Sequence, residues 1–190
     1  MARILEGVVT TLDEAGDVHV TPLGYQRIGG RVLLAPFEPS RTLGNLRRRP
    51  YAVLNFVDDV RVVAGCLTGR RDWPTVPASG PVPRLAAALA YEELAVDSIE
   101  EDPQRPRFWC RVVAAATLAP FCGYNRAQSA VIEAAILVSR LDWLDPAEVA
   151  RGFGFLQTAV DKTAGDQELE AWHWLVDAVA AHPRHGASTR

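Results

Sequence analysis

Through residues 1–120 the apolar positions recur mostly at every second residue, in short runs broken by turn chemistry, which predicts antiparallel strands with one apolar and one polar face. Gly7–Thr11 and Val18–Pro22 flank Asp13-Glu-Ala-Gly-Asp17, a hairpin turn, and Gly29-Gly30 separates Tyr25–Ile28 from Arg31–Ala35 in the same way. Tyr51–Phe56 is apolar but for Asn55 and reads as a buried strand. Glu92–Ile99 and Phe108–Leu118 are two more strands, joined by the charged turn Glu100–Arg107. The short spacing predicts a small barrel, because parallel βαβ units need a helix-length crossover between strands.

The period then lengthens. Asn125 caps a helix through Leu141, and Asp145-Pro146-Ala-Glu148 supplies N-cap, N1 proline and N3 glutamate for a second, to about Lys162. Asp166 caps a third, which ends near His182-Pro183. Within the strand-rich half, a helix over 41–48 stops before Pro50, and Asp58-Asp59 caps a short helix through Val62, Val63 and Cys66. Residues 69–84, with Pro74, Pro77, Pro81 and Pro83, read as an exposed loop. The expected organisation is a barrel domain over 1–120, a helical region over 121–184 packed on it, and a disordered tail over 185–190. The packing expectation rests on Leu141, Trp143, Leu144, Phe153, Phe155, Trp172, Trp174 and Leu175, too many large apolar groups for a free three-helix segment to leave exposed.

Composition removes several function classes. A net charge of −3 gives no electrostatic reason to expect nucleic acid. No apolar stretch approaches the roughly 18 residues of a membrane span, and Met-Ala-Arg-Ile-Leu-Glu runs straight into a strand pattern without signal-peptide architecture. Cys66, Cys110 and Cys122 form no C-x-x-C pair, so a reducing cytoplasm is the expectation. Histidines 19, 173, 182 and 185 show no metal-ligand spacing, and no metal is expected. His173 and Asp177, one turn apart, read as a surface pair. There is no G-x-S-x-G, G-x-G-x-x-G or Walker A pattern, and successive Asp58 and Asp59 point apart. No side chain stands out as a catalytic acid or base.

Two segments carry chemistry. After Val32-Leu33-Leu34 the chain bends at proline into a helix whose N-cap is Ser40, with Thr42, Gly44 and Asn45 in its first turns. Such an end points N–H groups and hydroxyls at one spot, which suits a phosphate ester and equally describes an ordinary capped surface helix. In the helix from Asn125, Ala127, Ala130, Val131, Ala134, Val138 and Leu141 make one apolar face. Arg126, Ser129, Glu133 and Arg140 make a narrow polar stripe, and Ile132, Ala135 and Ile136 fill much of the rest. A helix apolar almost all round is buried, so Arg126 and Glu133 are expected to pair with each other, with a partner chain or with a ligand, an interface ion pair first among these.

The order of Gly7–Thr11, the Val18-His-Val-Thr-Pro-Leu-Gly24 turn, Pro36-Phe37, Ser40-Arg-Thr42, Asn45-Leu46, Asn55-Phe-Val-Asp-Asp59 and Gly-Tyr-Asn-Arg-Ala with Ala-Val-Ile-Glu-Ala and Ser-Arg-Leu141 resembles the domain of unknown function 447 family, within the flavin-reductase-like FMN-binding split barrels. The resemblance implies an α+β, mainly β fold: a six-stranded split β-barrel with a C-terminal helical extension, a homodimer, and FMN near the dimer interface. Ser40, Thr42 and Asn45 match the positions it assigns to the phosphate, and Thr21, Pro22 and Gly24 those of a turn approaching the ring. His19 and Ala35 depart from the family's usual Asn and Arg, and the loss of that Arg implies either weaker FMN binding or a shift of phosphate duty to Arg41 or Arg126. The implied function is a flavin-dependent oxidoreductase using NAD(P)H or a pterin substrate, with a link to tetrahydromethanopterin one-carbon metabolism. The alternatives are a non-catalytic flavin- or pterin-binding protein and a ligand-free dimeric interaction module.

Overall fold

The computed structural model describes residues 3–186. Its elements run β1 (Ile4–Leu12), β2 (Val18–Ile28), β3 (Arg31–Leu34), α1 (Arg41–Arg48), β4 (Tyr51–Phe56), α2 (Arg61–Leu67), β5 (Thr75–Val76), β6 (Arg84–Leu85), β7 (Ala90–Glu100), β8 (Arg107–Thr117), α3 (Arg126–Val138), α4 (Pro146–Thr163) and α5 (Asp166–Ala181). Six strands close into an antiparallel barrel in the order β1-β2-β3-β8-β7-β4, with β4 returning to β1. A mainly β split barrel followed by helices is therefore the fold.

Val9, Tyr25, Val32, Leu34, Leu54, Leu94 and Phe108 alternate inward along their strands to form the barrel core, and α1 adds Leu43 and Leu46. Gly7 is a point of close approach: an added Cβ would lie 2.7 Å from Leu54 Cδ1 and 3.3 Å from the Tyr25 ring. Cys110 is part of this core, and burial pushes its thiol up to about 12, so it is no nucleophile near neutral pH.

The chain divides into two compact units, but not at residue 120. Asp58–Arg71 belongs with Cys122 onward, and Asp72–Phe121 belongs with the segment ending at Val57. The reason is the apolar face of α2. Val60 and Ala64 are buried in one cluster with Ala127, Val131, Ala134, Trp172 and Leu175. Arg61 pairs with Asp59 at 2.7 Å and Glu170 at 3.1 Å, and the Arg70 guanidinium sits 4.2 Å from the Trp174 ring centroid.

Other expectations change with it. Val18–Gly24 is no turn: β2 is one continuous strand in register with β1 from Leu12↔Val18 to Ile4↔Gln26. Proline and glycine at 22 and 24 read as punctuation in the sequence, whereas both fit a strand that lacks a second ladder at that level. The proline-rich segment 69–84 is not simply exposed, since β5 pairs with β6 at its end and Val82 is buried, as is Leu85 just beyond it. The stripe on α3 faces solvent: Arg126, Ser129, Glu133 and Arg140 are exposed, so no buried charge demands a partner. Of the large apolar groups after residue 140, Leu141, Trp172 and Leu175 bury themselves in the helical core, while Trp143 and Phe155 stay 78% and 83% exposed. The N-cap of α5 is Gly165, one residue before the Asp166 expected. The ordered chain extends past 184, with His185 buried and its Nε2 2.8 Å from the Leu141 carbonyl. Residues 187–190 of the expected tail lie outside the described residues.

Candidate functional site

The β2–β3 ladder ends at Tyr25↔Leu34. Beyond it, the chain leaves the sheet through Ala35-Pro36, where proline has no N–H to continue a ladder, and β2 continues along β1 through Gly24, Pro22 and Thr21. The ring of strands stays closed, but the β2–β3 ladder is interrupted between this half of β2 and the Ala35–Ser40 segment, and this interruption is the split. α1 starts at the end of that segment, and its first turns pack against β1 and β2.

Ser40 caps α1, its Oγ accepting from the Leu43 N–H at 3.3 Å. The first turn contains no acidic residue and the last carries Arg47 and Arg48, so the positive N-terminal end of the helix dipole is not neutralised from within. Ser40 is half-buried and Arg41 exposed, whereas Thr42 and Asn45 are 3% and 4% exposed. The Asn45 side chain is structural, because its Nδ2 donates to Thr11 Oγ1 at 2.9 Å and ties α1 to β1. Thr42 and Asn45 therefore shape the helix start from beneath, and Ser40 and Arg41 form its accessible face. Thr21, Pro22 and Gly24 are half-buried along the split, so seven of the expected residues lie in the barrel unit. Arg126 lies in the helical unit, exposed at the start of α3. Its neighbour Asn125 is a double staple, accepting from Ala127 N at 2.7 Å and donating to the Thr163 carbonyl at 3.0 Å.

Two turns brace the split. From the β1–β2 turn, Asp13 and Glu14 lie 3.5 Å from Arg41 and Arg48 respectively. The Asp17 amide leads the hydrogen bonds that hold the Asp13 carboxyl below its usual range. From the β7–β8 turn, Glu101 takes both Arg47 Nη nitrogens at 3.0 and 2.6 Å, and the Gln104 carbonyl accepts from Glu38 N–H at 2.9 Å. Arg105 donates from Nε and Nη2 to the Ala35 carbonyl at 3.1 and 2.9 Å and stacks 4.3 Å over Phe37. No sequence spacing pointed to Arg105, because the β3–β8 pairing is what carries residues near 105 to residues near 35.

A second buried polar group holds the proline-rich strap against the barrel's outer face. Asn55 Oδ1 accepts from Leu85 N–H at 2.8 Å while its Nδ2 donates to the Val8 and Val53 carbonyls, both at 3.1 Å, and Thr10 Oγ1 donates to the Pro83 carbonyl at 2.7 Å. Glu93 receives Ser79 N–H, Ser79 hydroxyl and Gly80 N–H at 2.9, 2.6 and 2.6 Å. Burial pushes this carboxyl up, but the Ser79 and Gly80 donors outweigh it and the net shift is down. A Cβ on Gly80 would lie 2.6 Å from Glu93 Oε2, so only glycine lets the carboxylate approach. Among the described residues no helix is long and apolar enough to cross a membrane.

Comparison with known proteins accords with this fold. Residues 5–119 match "Protein of unknown function (DUF447) N-terminal domain", and residues 125–177 match "Protein of unknown function (DUF447)". No curated protein matches the chain. An FMN-bound DUF447 protein from Methanosarcina mazei is similar in fold, with TM-score 0.80 and 19% identity over 94% of this chain and 96% of that one. An FMN-binding protein from Thermus thermophilus, with TM-score 0.53 and 19% identity, covers 60% of this chain and 70% of its own. The 2-nitrobenzoate 2-nitroreductase of Pseudomonas fluorescens, with TM-score 0.51 and 22% identity, covers 62% and 66%. With a barrel and a helical region that each match their own part of the family, the chain belongs to the DUF447 family.

Proposed function

We propose that the protein is an FMN-binding flavoprotein that works as a reductase. One observation carries the reading: the barrel splits where β2 parts from Ala35–Ser40, and a helix start without acidic residues follows at once. The residues present fit a phosphate monoester there, with the Ser40 hydroxyl, the Arg41 guanidinium and the first-turn amides as donors. Thr21, Pro22 and Gly24 line the split with little side-chain bulk, which suits a flat ring lying along the strand. The likeness to an FMN-bound member of the family over nearly the whole of both chains supports the same cofactor here.

FMN, when bound, supplies hydride and one-electron chemistry. The chain's part is to bind and orient: Asn45 and Thr11 fix the angle of α1 against β1, the braces from Asp13 and Glu101 hold its two ends, and Arg105 fixes the preceding loop. A nicotinamide electron donor is supported by the fold likeness to an NADH:FAD oxidoreductase of Streptomyces globisporus, with TM-score 0.50 and 15% identity over 59% of this chain and 69% of that one. A cytoplasmic homodimer completes the reading, with the exposed apolar Tyr51, Ile99 and Val113 of the barrel strands in favour of an interface between copies.

The substitution Ser40→Asp tests it. Aspartate caps a helix as well as serine does, so α1 stays formed, but it sets a negative charge where the phosphate is to sit. FMN affinity should fall more than about tenfold, while riboflavin, which has no phosphate, binds as to the parent. Equal affinity of variant and parent for FMN would move the phosphate elsewhere.

A further inference from the structure

We infer that Arg105, in the turn between β7 and β8, is the positioning residue of the phosphate side, and that it makes the site select a phosphate monoester over its dephosphorylated form. The inference rests on the FMN reading above and names a residue that nothing in the sequence motif assigns. Its grip is geometric. Two parallel N–H groups close on the Ala35 carbonyl at 3.1 and 2.9 Å, and the guanidinium plane lies 4.3 Å from the Phe37 ring centroid. The arginine is thus clamped to the first residue of the loop that ends at Ser40.

The turn that delivers it is itself rigid. Asp102 Oδ1 accepts from the Gln104 and Arg105 amides at 2.9 and 2.7 Å, and these bonds hold the Asp102 carboxyl below its usual range. Just ahead of Arg105 in the same turn, the Gln104 carbonyl takes the Glu38 N–H at 2.9 Å and Glu101 is locked to Arg47 of α1. Loop and helix are therefore both referred to one turn, which fixes the Ser40 hydroxyl and the first-turn amides before a ligand arrives.

Charge points the same way. Arg41 lies 3.5 Å from Asp13, whereas among the described residues Arg105 makes no ion pair, and its bonded partner is a neutral carbonyl. A guanidinium held on a carbonyl keeps its full positive charge at the start of the loop that leads to Ser40, and a dianionic phosphate ester is the group that gains from it. A neutral alcohol gains nothing.

The test is a set of dissociation constants for FMN and riboflavin on the intact protein carrying Arg105→Ala or Arg105→Lys, with thermal unfolding recorded for each. For Arg105→Ala the expected result is a loss of FMN affinity of about 10- to 100-fold with riboflavin unchanged, so that the FMN-to-riboflavin preference collapses. Arg105→Lys should restore part of that preference, since it returns the charge but not the two-pronged grip. An Arg105→Ala protein with the parent's preference overturns the inference, and so does one that loses both ligands by the same factor. A parent protein that binds FMN while Arg105→Ala is unchanged leaves the FMN reading standing and removes only the role of Arg105. A parent that binds neither flavin removes both.

Discussion

The two units differ in how far buried polar bonds shape them. The helical unit closes on small and aromatic side chains: Ala127, Ala130, Ala134 and Ala135 let α3 approach its neighbours, and Trp172 and Leu175 fill the space. Its polar bonds lie mostly at helix ends, as with Asn125 on Thr163 and Glu168 on Gly165. The barrel has an apolar core too, but Thr10, Thr11, Asn45, Asn55 and Glu93 are buried along with it, and each bonds to a loop, a strand or α1. Polar atoms inside cost free energy unless paired, so their pairing dictates where irregular segments lie. The lesson is a division of labour within the chain: shape-determining polar bonds gather in the unit that carries the candidate site.

Substitutions can break this contrast. The largest expected effect is Trp172→Ala, which empties a site packed 5.1 Å from Phe153 and removes the bond to Gln157, 3.1 Å long. About 3–5 kcal/mol should be lost from the helical unit, measured by urea unfolding, with amide exchange in β1 and β4 unchanged. Next is Asn55→Ala, which strands the Leu85 N–H and costs the barrel about 2–3 kcal/mol. Hydrogen exchange at Leu85 should rise sharply. If Asn55→Ala is silent, the polar network is ornamental and the contrast fails.

The third effect is smaller and depends on pH. The carboxyl of Glu93 lies below its usual 4.5, so the folded state favours its ionised form. That contribution is present in full above about 4.5 and is lost as pH falls through the lower folded value. Glu93→Gln should cost about 1–2 kcal/mol at pH 7 and flatten the acid limb of the stability profile. An acid limb identical in the two proteins would assign the loss of stability to other carboxylates.

What the sequence made legible was local. Ser40, Asn125 and Asp145 cap the helices that their short side chains announce, because a cap and its donors lie within three residues of one another. The strand runs of β4, β7 and β8 were likewise visible in their apolar pattern. β2 was cut short because Pro22 and Gly24 are turn residues in most contexts, and only the partner strand shows that they continue. The membership of α2 was hidden because its apolar face meets residues far along the chain, such as Ala127 and Trp172. Of the proposed site, the helix start points to Ser40 and the family resemblance to Arg41. Arg105 and the Glu93 cradle were not legible, since strand pairing brings Arg105 to Ala35 and the loop after β5 brings Ser79 and Gly80 to Glu93.

The central claim, that the split barrel holds FMN by its phosphate end, is tested most directly by titrating the flavin-free protein with FMN and with riboflavin and following flavin absorbance and fluorescence. The predicted result is saturable FMN binding, with riboflavin binding weaker by about tenfold or more, the worth of the charged hydrogen bonds that the missing phosphate would have made. No saturable change with FMN, or equal affinity for the two flavins, would contradict it.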